Sequence, residues 1–301
     1  MTMFSSSNTF RAADLGCATG PNILLAVQNM IDAVKHSHEL PEFQVFFNDQ
    51  TSNDFNLLFT SLPPERRYFA AGVPGSFRSQ LFPRASLHFV HSSYAIQILS
   101  TLPKEAVDKS SPAWNKGRIH YSNSAPEAVD AYEAQFAVDM KSFLEPRAEE
   151  IVHDGLMAFI VPGHPTGTPH SEAFFNKTLE ILGSCLVDMA NMGKISYEKV
   201  DLFNLPAYLA SPHEMEAAVK QNGSFSVEIM EYLHQEKQQP EALASTKRAG
   251  FEGILKEHFG FGEETLGRLY HLVCKKFGQQ SSTFLESSGD AMNLFVFLKR
   301  I

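Results

Sequence analysis

The first residues in this chain with chemistry to offer are a carboxylate and a glycine turn. Asp14-Leu-Gly16-Cys-Ala-Thr-Gly20 places an acidic residue and two glycines between a strand-like run and a helix-like run. The spacing separates two cofactor classes. A dinucleotide site wants G-x-G-x-x-G, so that a helix N-terminus meets the pyrophosphate. Here the pattern is D-x-G-x-x-x-G. The missing middle glycine counts against a nicotinamide-dependent reductase. S-adenosylmethionine (SAM) has no pyrophosphate, and its sulfonium, amino-acid tail and ribose suit a glycine turn with a carboxylate beside it. A glycine turn that holds no ligand is the plain alternative.

Asp49 follows Gly16 by 33 positions and ends a second strand-like run. An acidic side chain there can accept hydrogen bonds from both ribose hydroxyls of an adenosyl group. Capping a helix or closing a turn is the other ordinary use of such an aspartate. Gly75-Ser76-Phe77 adds a tight turn, a hydroxyl and an aromatic face on which an adenine could stack. Taken alone, Phe77 reads better as an ordinary core phenylalanine in a loop.

The elements that must position these residues alternate. Residues 10–15 read as a strand, and from Pro21 the apolar positions Ile23, Leu24, Val27, Met30, Ile31 and Val34 recur at helical spacing. Residues 43–47 form a second strand, followed by a helical stretch over 55–62 that stops at Pro63-Pro64. Strand-like runs follow at 87–90, leading into a helical turn over 93–100, and at 155–161. Between 165 and 275 helical patterns dominate, at 171–191, 212–221, 226–235 and 249–259, and 292–298 is again strand-like. This order predicts an α/β fold: a doubly wound, Rossmann-like parallel sheet with a helical cap. Residues 1–165 plus 276–301 form the sheet-bearing core, and 166–275 form the cap. Ligands should bind beyond the carboxyl ends of the strands.

Composition excludes other classes. The 301 residues carry 25 Lys+Arg against 34 Asp+Glu, a net charge of −9, so the electrostatic footprint of a nucleic-acid binder is missing. The short basic pairs Arg66-Arg67, Lys247-Arg248 and Lys275-Lys276 are scattered and read as solvated faces. No apolar run is long enough to span a bilayer. Three widely spaced cysteines, Cys17, Cys185 and Cys274, and a polar start without a hydrophobic leader point to a reducing, cytoplasmic setting. His164 and His170 flank a Pro/Gly/Thr loop and lack a third ligand at zinc spacing. No G-x-S-x-G elbow accompanies Ser92 and Ser93, which disfavours a hydrolase.

Taken in order, Asp14-Leu-Gly-Cys-Ala-Thr-Gly-Pro-Asn22, Phe46-Phe-Asn-Asp49, Gly72-Val-Pro-Gly-Ser-Phe77, Leu81-Phe-Pro83, His91-Ser-Ser-Tyr94, Trp114-Asn-Lys-Gly117 and Phe203-Asn-Leu-Pro206 resemble the SABATH methyltransferases of plants. The resemblance runs from Asp14 to about Arg300. It implies a Rossmann-like methyltransferase sheet, a homodimer, and methyl transfer from SAM, mostly to carboxylates of small hormones and metabolites; one branch methylates xanthine nitrogens. Cofactor contacts then fall on Gly16, Cys17, Asn22, Asp49, Gln50, Ser76 and Phe77, beside Asp14. Substrate contacts fall on Tyr94, Gln97, Ile98 and Leu179. A magnesium site found in some members maps onto Asn123, Asp201, Phe203 and Asn204, an oxygen donor set that suits a hard cation but has only one carboxylate. Asp201 and Asn204 also read as caps of the turn before Pro206.

A carboxylate acceptor is ionised at neutral pH, so attack on the sulfonium methyl needs no general base. The rate must come from holding the oxygen about 3 Å from the methyl carbon in a dry pocket. Two departures bear on the substrate. Family members usually have tryptophan where this chain has Ile98, whose loss implies a different, more aliphatic acid. They also begin with a longer segment than the thirteen residues ahead of Asp14. That second departure leaves a catalytically weak homologue that keeps only the scaffold as the competing expectation.

Overall fold

The computed structural model describes residues 9–20, 22–37, 42–233, 237–280, 284 and 291–301, the side chains of 35–37 excepted. Residues 1–8, Pro21 and the end of the 226–235 segment lie outside them. Five parallel strands come first: β1 (Thr9–Leu15), β2 (Glu42–Asp49), β3 (Phe69–Pro74), β4 (Leu87–Ser93) and β5 (Ile151–Gly163). They are completed by β6 (Phe225–Leu233) and β7 (Met292–Arg300) in one sheet of order β3-β2-β1-β4-β5-β7-β6. β7 inserts antiparallel between β5 and β6, so the expected closing strand is present and makes the sheet mixed rather than wholly parallel. The strand order reverses between β1 and β4. A crevice opens there beyond their carboxyl ends.

Both faces of the sheet are covered, which explains the near-continuous apolar runs. Phe10 and Ala12 of β1 pack with Ile23, Val27 and Ile31 of α1 (Asn22–Ser37). The alternate residues Ala13 and Leu15 join Tyr132, Phe136 and Met140 of α3 (Pro126–Glu150) on the other face. α3 is a 25-residue helix in a stretch to which the alternating pattern assigns no element. A shorter α2 (Phe55–Ser61) follows β2. Four further helices, α4 (Phe174–Asn191), α5 (Tyr197–Asp201), α7 (Pro240–Phe259) and α8 (Glu263–Gly278), share a separate apolar core beside the sheet. α6 (Pro212–Asn222) has a full capping box between Ser211 and Glu214, with Pro212 in its first turn.

Two local expectations fail. Residues 226–233 form β6, not a helix. A register shift between Val227 and Ile229 makes Phe225 and Met230 the inward-facing residues, five positions apart, so the two-residue alternation of a strand is lost from the sequence. Residues 93–100 form a turn rather than a helical turn, pinned by an isolated antiparallel bridge between Ile98 and Ala207.

Candidate active site

The loops after β1, β2 and β3 are tied into one assembly. The Gly16 and Cys17 N–H groups donate to the Asn48 carbonyl at 2.9 and 3.0 Å, and the Ala18 N–H donates to Asp49 Oδ2 at 2.6 Å. Asp49 Oδ1 accepts from the Gln50 N–H at 2.7 Å, and the Gly75 N–H donates to the Asp49 carbonyl at 2.8 Å. The Asn48 side chain donates to the carbonyls of Val73 and Gly75 at 2.7 and 2.9 Å. Only glycine suits position 16: its φ is +73°, and an added Cβ would collide with the Cβ of Ala95. Phe77 is buried nearby, edge-on to Phe143 at 5.8 Å, while Ser76 Oγ accepts from the Arg78 N–H at 3.3 Å.

The electrostatics of this turn favour a cation. Burial raises the Cys17 thiol far above its usual range, and the charges of Asp14 and then Asp49 push it further. The thiol stays protonated and inert as a nucleophile, and the two carboxylates beside it suit a sulfonium better than a pyrophosphate. Asp14 is itself buried, its Oδ1 held 2.7 Å from Nδ1 of His91 on β4, a partner that sequence spacing gave no reason to expect.

Beside the turn lies a cavity of about 1190 Å³. Asp14, Gly16, Cys17 and Asn22 form part of its wall, as do Tyr94, Gln97 and Ile98. The rest is mainly apolar, with Phe174, Phe175, Leu243 and Phe251 supplied by α4 and α7. Tyr94 takes a left-handed φ of +54° at the end of β4, and its N–H donates to the Ile160 carbonyl at 2.8 Å. Such a conformation costs on the order of 1 kcal/mol and turns the chain sharply into the cavity wall. Gln97 is buried, with Nε2 donating to the Tyr94 carbonyl at 2.7 Å and Oε1 left without a partner. Asp49 at the end of β2, and Gln50, Ser76 and Phe77 in the adjoining loops, lie outside this wall. Leu179 is fully buried in the core of the helical layer and does not reach the cavity.

An aromatic and histidine network, mostly buried, joins Tyr121, Tyr132 and Tyr208 to His120 and the partly exposed His170. Tyr121 stacks on Tyr132 and Tyr208 at 4.9 and 5.0 Å, and its hydroxyl lies 3.2 Å from His170 Nδ1. His120 is held between Ser122 Oγ and the Ala207 carbonyl, and burial lowers its pKa to about 3. Burial and the neighbouring His164 lower that of His170 to about 4. An unfolded chain takes up these protons near pH 6.5, before the folded protein does. Stability present at pH 7 should therefore fall as pH drops from about 6.5 towards 4, at roughly 1.4 kcal/mol per unit for the buried His120 and less for the partly exposed His170. Thermal melts of His120→Gln, which lacks the proton to gain, should show a shallower acid slope than wild type.

Residues 1–301 match the model of the family described as SAM-dependent carboxyl methyltransferase. Loganic acid O-methyltransferase from Catharanthus roseus is 43% identical across 99% of this chain and 82% of its own length. This chain belongs to the SAM-dependent carboxyl methyltransferases. Farnesoic acid carboxyl-O-methyltransferase from Arabidopsis thaliana is 38% identical over 98% of this chain and 86% of that protein. A solved structure of loganic acid methyltransferase with SAH is similar in fold at a TM-score of 0.91 and 40% identity, covering 99% of this chain and 86% of that one.

In this carboxyl methyltransferase the residues mapped to a magnesium site are already engaged. Asp201 Oδ1 accepts from the Gly117 N–H at 3.1 Å, and Asn204 Oδ1 accepts from Asn115 Nδ2 at 2.7 Å. Asn123 is exposed, whereas Phe203 is buried against Phe259 at 5.0 Å. Among the described residues, no three His, Cys, Asp or Glu side chains converge as a metal cluster would require. No helix among them is long and apolar enough to cross a membrane. Sequence spacing also missed Lys247. The basic pair Lys247-Arg248 predicts a solvated face; instead Lys247 is 3% exposed and lines the cavity.

Proposed function

We propose that this chain methylates the carboxylate of a small, largely apolar acid. The observation that carries this reading is the joining of a carboxylate-flanked glycine turn to a large, mainly apolar cavity. SAM bound at the turn supplies an electrophilic methyl group on sulfur. Asp49, oriented by the Ala18 and Gln50 N–H groups, keeps lone pairs free for the ribose hydroxyls. Asp14, fixed by His91, balances the sulfonium charge. Gly16, Cys17, Asn22, Gln50, Ser76 and Phe77 shape the remaining cofactor surface.

Tyr94, Gln97 and Ile98 border the acceptor, and no residue needs to act as a base because the acid arrives ionised. Leu179, on α4, packs that helix into the apolar core of the helical layer. The aliphatic Ile98 and the phenylalanine walls favour an elongated aliphatic or terpenoid acid over a flat aromatic one. The known substrates of the loganic and farnesoic acid enzymes are the first acids to try.

The donor set at Asn123, Asp201, Phe203 and Asn204, with a single carboxylate and an exposed Asn123, makes at most a weak magnesium site. It offers one carboxylate, already bonded to Gly117, and an amide oxygen already bonded to Asn115. Its role in this proposal is to fasten the Trp114 loop to the chain ahead of Pro206. The division into a sheet-bearing core (1–165 plus 276–301) and a mainly helical cap (166–275), a homodimer, and a cytoplasmic setting complete the reading. The separate core of α4, α5, α7 and α8 supports the cap, and free Cys17, Cys185 and Cys274 support the reducing compartment.

A transfer assay with radiolabelled SAM tests the function against a panel of plant acids that includes loganic, farnesoic and salicylic acids. Labelled ester from an aliphatic or terpenoid acid is the expected result. Turnover confined to salicylate-like acids would overturn the substrate class. No ester from any acid, despite SAM binding, would overturn the activity.

A further inference from the structure

Lys247 and Arg248 are adjacent on α7 and meet opposite fates. Arg248 points outward and pairs with Glu252 and Glu263 at 2.5 and 2.9 Å. Lys247 points inward, and its ammonium lies 3.3 Å from the ring centroid of Phe175, itself part of the cavity wall. Among the described residues, no carboxylate or hydrogen-bond acceptor meets that ammonium. It is the only Lys or Arg among the described residues of the wall. Burial lowers its pKa from 10.5 to about 7.

Arg147, a fully buried cation on α3, shows what a structural role requires. The Arg147 guanidinium is paired with Glu150 and donates to the carbonyls of Phe77 and Ser79. Lys247 has only an aromatic face, which recovers part of the desolvation cost and leaves the charge without a counter-ion. A methionine would fill the same volume without that cost. The missing partner must come from outside, be anionic, and fit an apolar cavity.

On the part of the wall built by α4 and α7, no side chain beside Lys247 has a free donor for a carboxylate partner, since Thr246 gives its hydroxyl to the Ala242 carbonyl. Gln97 spends its amide N–H on the Tyr94 carbonyl and turns a bare oxygen to its surroundings, and Ile98 has no donor. Phe174, Phe175, Leu243 and Phe251 contribute none. We propose that Lys247 is the counter-ion of the acceptor's carboxylate, a substrate-binding residue that selects acids over neutral molecules of the same shape. This rests on the reading that the acceptor is a carboxylic acid.

The reaction then switches off its own binding contact. A carboxylate oxygen forms a bond to the methyl carbon, the carbon–sulfur bond breaks, and its electron pair stays on sulfur as a neutral thioether. No proton is transferred. The acid's negative charge and the sulfonium's positive charge cancel, so the ester left beside Lys247 is neutral. The ammonium is again unpaired, and the ester is held less tightly than the acid it came from.

The test uses the full chain saturated with S-adenosylhomocysteine, with octanoate as the probe, 1-octanol as its neutral match, and the variant Lys247→Met. Calorimetry should show octanoate binding weakened about tenfold or more in the variant and 1-octanol binding unchanged within about twofold. The variant should melt no lower than wild type, because a buried charge has been removed; a lysine with a purely structural role would lower the melting temperature. Octanoate binding to wild type no stronger than to the variant overturns the proposal, as does a parallel loss of octanoate and 1-octanol. The acid panel separates this from the underlying activity. Wild type that esterifies an acid, with the same KM in Lys247→Met, overturns the role of Lys247 alone. Wild type that esterifies none overturns the activity reading.

Discussion

Asp49→Ala should weaken SAM and S-adenosylhomocysteine binding by at least about 100-fold while leaving the fold intact. The carboxylate stands at the end of β2 with one oxygen held by the Ala18 N–H and the other by the Gln50 N–H. Each oxygen retains a lone pair for a ribose hydroxyl. A hydrogen bond to a charged group contributes about 1.5–3 kcal/mol, so losing two costs roughly 3 kcal/mol at the low end, and about 1.4 kcal/mol is tenfold in affinity. Alanine also releases the Ala18 N–H, which helps hold that residue at its left-handed φ of +53°. Asp49 is only partly buried, so the melting temperature should move little. Asp49→Asn keeps the shape and loses the charge, and should fall between the two. Calorimetric titration measures all three. A dissociation constant within threefold of wild type for Asp49→Ala would remove Asp49 from the cofactor site.

The placement of Asp14, Gly16 and Asp49 is legible in the sequence because it depends on local backbone chemistry: a left-handed glycine after one strand, and carboxylates near the ends of that strand and the next. The strands that carry them are covered on both faces, so apolar residues dominate β1 and β2 around Arg11 and Gln44. β6 is hidden because its bulge breaks the alternation and because it lies at an edge, with Val227, Ile229 and Tyr232 exposed. Lys247 is hidden for a different reason. Adjacent basic residues read as one patch along the chain, but a helix turns them about 100° apart. The stripe Leu243, Lys247, Phe251, Leu255 and Phe259 repeats every four residues, and all five are buried. A lysine within such a stripe is the signal that would have found it. His91 and Glu150 answer residues far away in sequence, and no spacing rule reaches across 77 or 69 positions.

Arg147→Met should destabilise the protein by about 3–5 kcal/mol and weaken cofactor binding although Arg147 is not in the cofactor loops. Arg147 and Glu150 are both fully buried on α3, 2.7 Å apart. Together they anchor the loop after β3. Arg147 donates to the carbonyls of Phe77 and Ser79 at 2.6 and 3.0 Å, and Glu150 Oε1 accepts from the N–H groups of Leu81 and Phe82 at 2.5 and 2.9 Å. Breaking a buried pair leaves an uncompensated charge, which is the expensive case. For a chain of this size each kcal/mol moves the melting temperature by about 2–4 °C, so a fall of roughly 10 °C is expected. The sign of the pH dependence follows from Glu150. Burial already holds its pKa above the usual carboxylate range despite Arg147, and removing the cation raises it further. A raised folded pKa gives stability that is present at low pH and lost as pH rises through it. The deficit of Arg147→Met should therefore narrow towards pH 5 and widen towards pH 8. Adding Glu150→Met to the same protein removes the stranded charge and should recover part of the stability, while the carbonyls of Phe77 and Ser79 remain without their donors. If the double variant regains its melting temperature but still binds S-adenosylhomocysteine poorly, the pair acts by holding the Ser76–Phe77 turn in place. Full recovery of both would mean that the turn keeps its shape without Arg147.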